Sequence, residues 1–156
     1  MTLKIINYVE INPNLGTAGQ PSLEQFADIK KAGYQVVINL NPDSAASAVE
    51  DEGSLVKSLG MDYIYIPVIW AEPKAADLEQ FFNAMQQNQG RKVFVHCAMN
   101  MRVSAFVYLY RVLAEGAPEE TARASMLAIW EPNETWQAFI DDRRKSGLAG
   151  VDSTTA

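Results

Sequence analysis

Two residue types that build metal centres and crosslinks are almost missing from this sequence. Its 156 residues include one cysteine, Cys97, and one histidine, His96. A single thiol forbids an internal disulfide and fits a reducing compartment. One thiol and one imidazole are too few for a zinc site, and no alternating run of acids marks a hard-metal site, so no metal is expected. No apolar run approaches the ~20 residues that span a bilayer. The opening Met1-Thr2-Leu3-Lys4-Ile5-Ile6-Asn7-Tyr8 has no long apolar core with a small-residue cleavage site, which points to a cytoplasmic protein. Positive charge is also short: 13 Lys and Arg stand against 19 Asp and Glu, a net charge of -6. Such a surface repels nucleic acid and anionic lipid, so neither a nucleic acid nor a membrane is an expected partner.

What is present is an ordinary globular composition, 48% hydrophobic and 21% charged, at a length that suits one domain with one core. The expected domain covers residues 1–147, with a small, polar, flexible tail over 148–156. Its organising stretch is residues 91–104. Val93, Phe94 and Val95 form a short apolar run, as a central strand does. From Val103 onward, Ala105, Phe106, Val107, Tyr108, Leu109 and Tyr110 are apolar almost all round, as in a buried helix. Between strand and helix lie His96, Cys97 and Arg102. A cysteine at a helix N-terminus beside an arginine sits where backbone N–H groups, the helix dipole and a full positive charge all favour a thiolate. The same donors suit a tetrahedral oxyanion.

Other segments alternate strand and helix. Residues 1–20 read as extended, broken at Asn12-Pro13-Asn14. Ser22 with Gln25 forms a capping box for a helix that Gly33 closes. Residues 34–40 read as a buried strand ended by Asn41-Pro42-Asp43. A helix is expected over about 46–59, with Gly53 weakening its middle. Residues 62–68 are rich in strand formers. Pro73 suits the first turn of the next helix, whose Leu78, Phe81, Phe82 and Met85 fall at i, i+3, i+4 and i+7. Pro118 and Asn133 mark two further helix starts. This order predicts an α/β domain: a central, mostly parallel sheet of four or five strands with helices on both faces. Ligands of such sheets bind outside the carboxyl ends of the strands, where the loops 41–46, 69–73 and 97–102 collect.

His96-Cys97 after a Val-rich strand, with Arg102 at the helix start, resembles the cysteine-dependent tyrosine and dual-specificity phosphatases. Gly19-Gln20-Pro21-Ser22, Gly33-Tyr34-x-Val36-Val37-Ile38-Asn39-Leu40 and Tyr65-Ile66-Pro67-Val68 resemble a bacterial phosphatase-like family of unknown function. That family is related to the N-terminal part of the beta-lactamase hydrolase-like proteins, and the likeness runs from about residue 15 to 115. The resemblance implies a dual-specificity phosphatase-like fold and hydrolysis of phosphate monoesters, phosphotyrosine among them, through a phosphocysteine. Cys97 would attack phosphorus. Ala98, Met99, Asn100, Met101 and Arg102 would hold the equatorial oxygens, and His96 would orient the loop and help keep the thiol ionised. Glu72 would be the general acid, with Asp43 the runner-up. It implies no cofactor, and a phosphorylated small molecule or phosphoprotein as partner.

This sequence differs from the usual tyrosine phosphatase loop at three points. Four residues, not five, separate Cys97 from Arg102, a spacing shared with rhodanese sulfurtransferases. Asn100 replaces a mid-loop glycine, and asparagine is the best substitute where φ is positive. Val103 follows the arginine where a hydroxyl is usual, which leaves Ser104 as the candidate donor to the thiolate. Sulfur transfer through a persulfide and oxyanion binding without turnover are therefore the alternative readings. Glu72 also reads as a helix N-terminal charge, and Asp43 as a turn residue after proline. Trp70, Trp130 and Trp136 read as a mouth for an aromatic substrate or as packing. Arg143-Arg144-Lys145 reads as a solvated helix end.

Overall fold

The computed structural model describes residues 3–152. Strand β1 (Val9–Asn12) turns back on β2 (Leu15–Ala18), and helix α1 (Leu23–Lys31) leads to β3 (Val36–Asn39). Helix α2 (Glu52–Ser58), β4 (Asp62–Tyr65), α3 (Ala75–Gln87) and β5 (Val93–His96) follow, and α4 (Met101–Leu113), α5 (Glu119–Leu127) and α6 (Glu134–Asp152) complete the described chain. The sheet has five strands in the order β1-β2-β5-β3-β4. All neighbours are parallel except the β1–β2 hairpin at one edge.

Strand β5 is central, and its alternating side chains build both halves of the core. Val93 and Val95 pack on the face covered by α3, α4 and α6, with Phe81, Phe106, Trp136 and Ile140. Phe94 packs on the opposite face with Phe26 and Ile29 of α1 and Val56 of α2. Residues buried on both sides cannot alternate with polar ones, which is why this strand reads as an unbroken apolar run. The capping box of Ser22 and Gln25 is formed, and Asn133 accepts from the Trp136 N–H at the start of α6.

Several elements differ from the sequence reading. The helix expected over 46–59 is only Glu52–Ser58, because turns occupy the residues before it. Gly53 lies at its start rather than its middle. A Cβ there would stand 3.0 Å from the Tyr63 ring, so the glycine lets the helix start press against β4. Pro73 falls just before the Lys74 cap of α3 rather than in its first turn. Helix α6 breaks at Gly147 (φ 58°) yet continues as helix to Asp152, and residues 153–156 of the expected tail lie outside the described residues. Arg143 is not solvated: it is buried and ion-paired to Asp142 at 2.6 Å.

The parallel strands end level. Ala18 and Asn39 both pair with His96, and Asn39 also pairs with Tyr65. The chain therefore delivers residues 19–22, 40–51, 66–74 and 97–100 to one edge of the sheet.

Candidate active site

The turn after β5 is held from both sides. Asn100, the residue just before α4, takes the left-handed conformation (φ 68°) that its residue type favours, and its side chain makes no capping bond to the helix. Its Nδ2–H donates to the Asn7 carbonyl at 2.8 Å and to Thr17 Oγ1 at 3.1 Å. On the other side, the Gln20 N–H donates to the Ala98 carbonyl at 2.9 Å. That approach requires Gly19, because a Cβ there would lie 2.5 Å from the Ala98 oxygen and 2.6 Å from the Ile6 side chain. The Gly-Gln-Pro motif thus has a physical meaning: glycine admits the loop, and the glutamine that follows is free to point inward.

Cys97, Ala98, Met99, Met101, Arg102 and Trp70 border a hollow of about 200 Å³. Cys97 lines it with no surface open to solvent and packs in the apolar cluster on that face of the sheet. The N–H groups of the first turn of α4 have no intrahelical partner, as at any helix start. Arg102 is 7% exposed. Its Nη1–H donates to the Val68 carbonyl at 2.9 Å and its Nη2–H to Asn41 Oδ1 at 3.2 Å. Its Nε–H is buried with no acceptor, and no carboxylate lies within ion-pair distance of it among the described residues. The Trp70 ring lies over it, 5.9 Å from guanidinium carbon to centroid. A buried cation held only by neutral acceptors is costly unless an anion completes the site.

Behind the loop, His96 is fully buried. Its Nδ1 lies 3.2 Å from the Cys97 carbonyl and its Nε2 2.6 Å from Oε2 of Glu52. The other Glu52 oxygen accepts from Gln20 Nε2–H at 2.9 Å. Gln20 Oε1 in turn accepts from Asn41 Nδ2–H at 2.9 Å. Sequence reasoning missed Glu52 and Asn41 as site residues. A buried acid in the first turn of a short helix, just before a glycine, carries no periodic signal, and Asn41 reads as a turn residue. The one available cue was a set of amide side chains at the ends of buried strands.

The remaining candidates are placed apart. Glu72 is exposed, 3.9 Å from Lys74 Nζ, and does not border the hollow. Asp43 is exposed beside a neighbouring depression with Tyr65, whose hydroxyl accepts from the Asp43 N–H at 2.8 Å. The Ser104 hydroxyl donates to the Met101 carbonyl at 2.7 Å and accepts from Trp130 Nε1–H at 3.0 Å, so it is turned away from the thiol. Of the three tryptophans only Trp70 borders the hollow; Trp136 is core, and its Nε1–H holds the Trp70 carbonyl at 2.9 Å.

A sheet of this order, with a cysteine-to-arginine turn at the carboxyl end of its middle strand, is the fold of the dual-specificity and tyrosine phosphatases. The chain belongs to the family described as DSP-PTPase phosphatase fused to NAD+ kinase, whose model matches residues 10–142. A DUF442 protein from Shewanella putrefaciens CN-32, described from its crystal structure as a candidate phosphatase, is 43% identical. It superposes with a TM-score of 0.83 over 92% of this chain and 95% of that one. The beta-lactamase hydrolase-like protein of Xylella fastidiosa (strain Temecula1) is 31% identical over 108 residues, 67% of this chain and 25% of its own. The chain thus spans about a quarter of the length of the curated relatives it matches. P. aeruginosa TpbA, crystallised with pTyr, is 17% identical with a TM-score of 0.63 over 78% of this chain and 72% of that one, a likeness of fold alone.

Among the described residues no helix is long and apolar enough to cross a membrane, and no cluster of His, Cys, Asp and Glu could hold a metal ion.

Proposed function

We propose that the protein hydrolyses phosphate monoesters with Cys97 as nucleophile and Arg102 as the seat of the phosphoryl group. The observation that carries this reading is the buried Arg102 guanidinium, with an unpaired Nε–H and no carboxylate, on the same hollow as the thiol. The loop amides and the guanidinium bind the equatorial oxygens, and these contacts tighten as charge develops on them. The Cys97 sulfur forms a bond to phosphorus as the ester P–O bond breaks. The leaving oxygen takes a proton from a carboxyl group, for which Glu72, outside the hollow but on the same loop as Trp70, is the first candidate and Asp43 the second. Water then attacks phosphorus, the P–S bond breaks, the water's proton returns to that carboxyl group and phosphate departs. The wall of Trp70, Met99 and Met101 is apolar, and Arg102 is its one cation. It suits a single phosphate on an aromatic body, such as phosphotyrosine or a small aryl phosphate.

Hydrolysis of para-nitrophenyl phosphate tests this directly. Cys97→Ser is expected to lose at least about a thousandfold in kcat, and acid quenching of the native protein is expected to trap phosphate on Cys97. Undiminished hydrolysis by Cys97→Ser would overturn the proposal. So would thiocyanate formation from thiosulfate and cyanide without phosphatase activity, which is the outcome expected of a sulfurtransferase.

The acid has its own signature. Glu72→Gln is expected to slow alkyl phosphates, whose leaving groups are poor, by about 10²-fold, while para-nitrophenyl phosphate is slowed little. Equal rates for both substrates in Glu72→Gln, with that pattern found instead in Asp43→Asn, would move the role to Asp43.

A further inference from the structure

Glu52 is the buried acid that the proposed chemistry leaves without a task. It sits at the first position of α2, is 4% exposed, and uses both carboxylate oxygens on partners that reach the cysteine loop. Hydrogen-bond chemistry fixes the direction of each link. Arg102 can only donate, so Asn41 turns its oxygen to Arg102 and its NH₂ to Gln20. Gln20 must then accept with its oxygen and donate with its NH₂ to Glu52. Two amide dipoles thus run head to tail between a buried guanidinium and a buried carboxylate that never touch.

The other branch is equally constrained. A carbonyl only accepts, so His96 Nδ1 must carry a proton to bond the Cys97 oxygen. With Nδ1 so occupied, the 2.6 Å contact of Nε2 with Glu52 needs a second proton between ring and carboxylate. Its acceptor bond from Gln20 favours Glu52 as the carboxylate.

We propose that Glu52 is a positioning residue that holds His96 as a doubly protonated ring, donating to the Cys97 carbonyl on one side and paired to the carboxylate on the other. The proposal rests on Cys97 being the reactive thiol. Held this way, His96 fixes the peptide after Cys97 with its oxygen inward, so that the amides of the loop face the hollow. It also keeps a positive charge one residue from the sulfur, which favours thiolate. The charged group on the ring is Glu52 from α2, and the neighbouring thiol is that of Cys97. Tyr63 of β4 lies close enough to Glu52 to feel its charge, and burial pushes its hydroxyl up to about 12, so it stays neutral. Helix α1 offers the Phe26 ring, β5 the Phe94 ring and β3 the register partner Asn39, all uncharged.

Glu52→Gln tests the charge without removing the shape. A glutamine can still accept from Gln20 and can donate its own NH₂ to a neutral His96 Nε2, so every polar atom keeps a partner. Because His96 is the sole histidine and Cys97 the sole cysteine, nitrogen-resolved NMR and ultraviolet thiolate absorbance each report one residue. The native protein is expected to show both ring nitrogens protonated. In Glu52→Gln the Nε2 proton disappears, and the thiolate fraction in mildly acidic buffer, with Cys97→Ser as blank, falls about tenfold. An unprotonated Nε2 in the native protein overturns the proposal whether or not the variant folds. An unchanged ring spectrum or thiolate fraction in Glu52→Gln overturns it as well. Neither readout uses turnover, so a failure here is distinct from a failure of the phosphatase reading.

Discussion

Arg102→Met is expected to lose about 10³- to 10⁴-fold in hydrolysis of an aryl phosphate, yet to unfold within about 1 kcal/mol of the native protein when no anion is present. The two effects separate because Arg102 is paired with neutral acceptors alone. Removing the guanidinium leaves the Val68 carbonyl and Asn41 Oδ1 without donors, about 1–3 kcal/mol each. It also removes a buried cation whose desolvation costs several kcal/mol, and methionine fills much of the same volume. The compensating anion should be visible in the native protein. Inorganic phosphate at about a hundred times its Kd adds about 2.7 kcal/mol to stability, a rise in Tm of about 5–10 °C at this chain length. In Arg102→Met that rise should vanish. Urea and thermal melts with and without phosphate check both statements. A variant that loses several kcal/mol in phosphate-free buffer would show that the guanidinium is a strut rather than a seat for an anion, and the functional reading would fall with it.

That arrangement was legible in the sequence only in part, for reasons of period and burial. The β5–α4 unit stands out because a doubly covered strand and a mostly buried helix are both unbroken apolar runs, with Cys97 and Arg102 at the join. Helix α3 is legible because one face only is covered, and Leu78, Phe81, Phe82 and Met85 record it. The segment after β3 is different. Val49, Leu55, Val56 and Leu59 suggest a long helix, but turns hold residues 42–47 and Ser47 accepts from the site residue Asn41. The short helix then begins at the residue that binds His96. Side chains acting through single hydrogen bonds across the sheet edge leave no repeat to read, so Glu52, Gln20 and Asn41 emerge as one chain only in three dimensions. Arg143 misled for the opposite reason: a run of charges looks solvated, while the helix turns its first member inward beside Asp142.

The largest loss of stability is expected from Trp136→Ala, a residue remote from the thiol. Its indole is fully buried, with ring centroids 6.0 Å from Phe106, 5.8 Å from Phe139 and 6.0 Å from Trp70. Truncating such a side chain costs about 3–5 kcal/mol, a large share of the 5–15 kcal/mol that about any domain of this kind holds in total. The indole N–H also secures the Trp70 carbonyl, two residues beyond the Val68 carbonyl that accepts from Arg102. Loss of the tryptophan therefore frees the wall of the hollow as well as opening the core. Trp136→Phe separates the two roles. The ring still fills most of the space, so stability should fall by about 1–2 kcal/mol, while KM for an aryl phosphate rises because Trp70 is no longer tethered. Urea melts and steady-state kinetics on both variants make the comparison. If Trp136→Ala unfolded within about 1 kcal/mol of the native protein, below the cost of a cavity this size, α6 would not be holding the Trp70 segment in place. If Trp136→Phe left KM unchanged, the tether would play no part in binding.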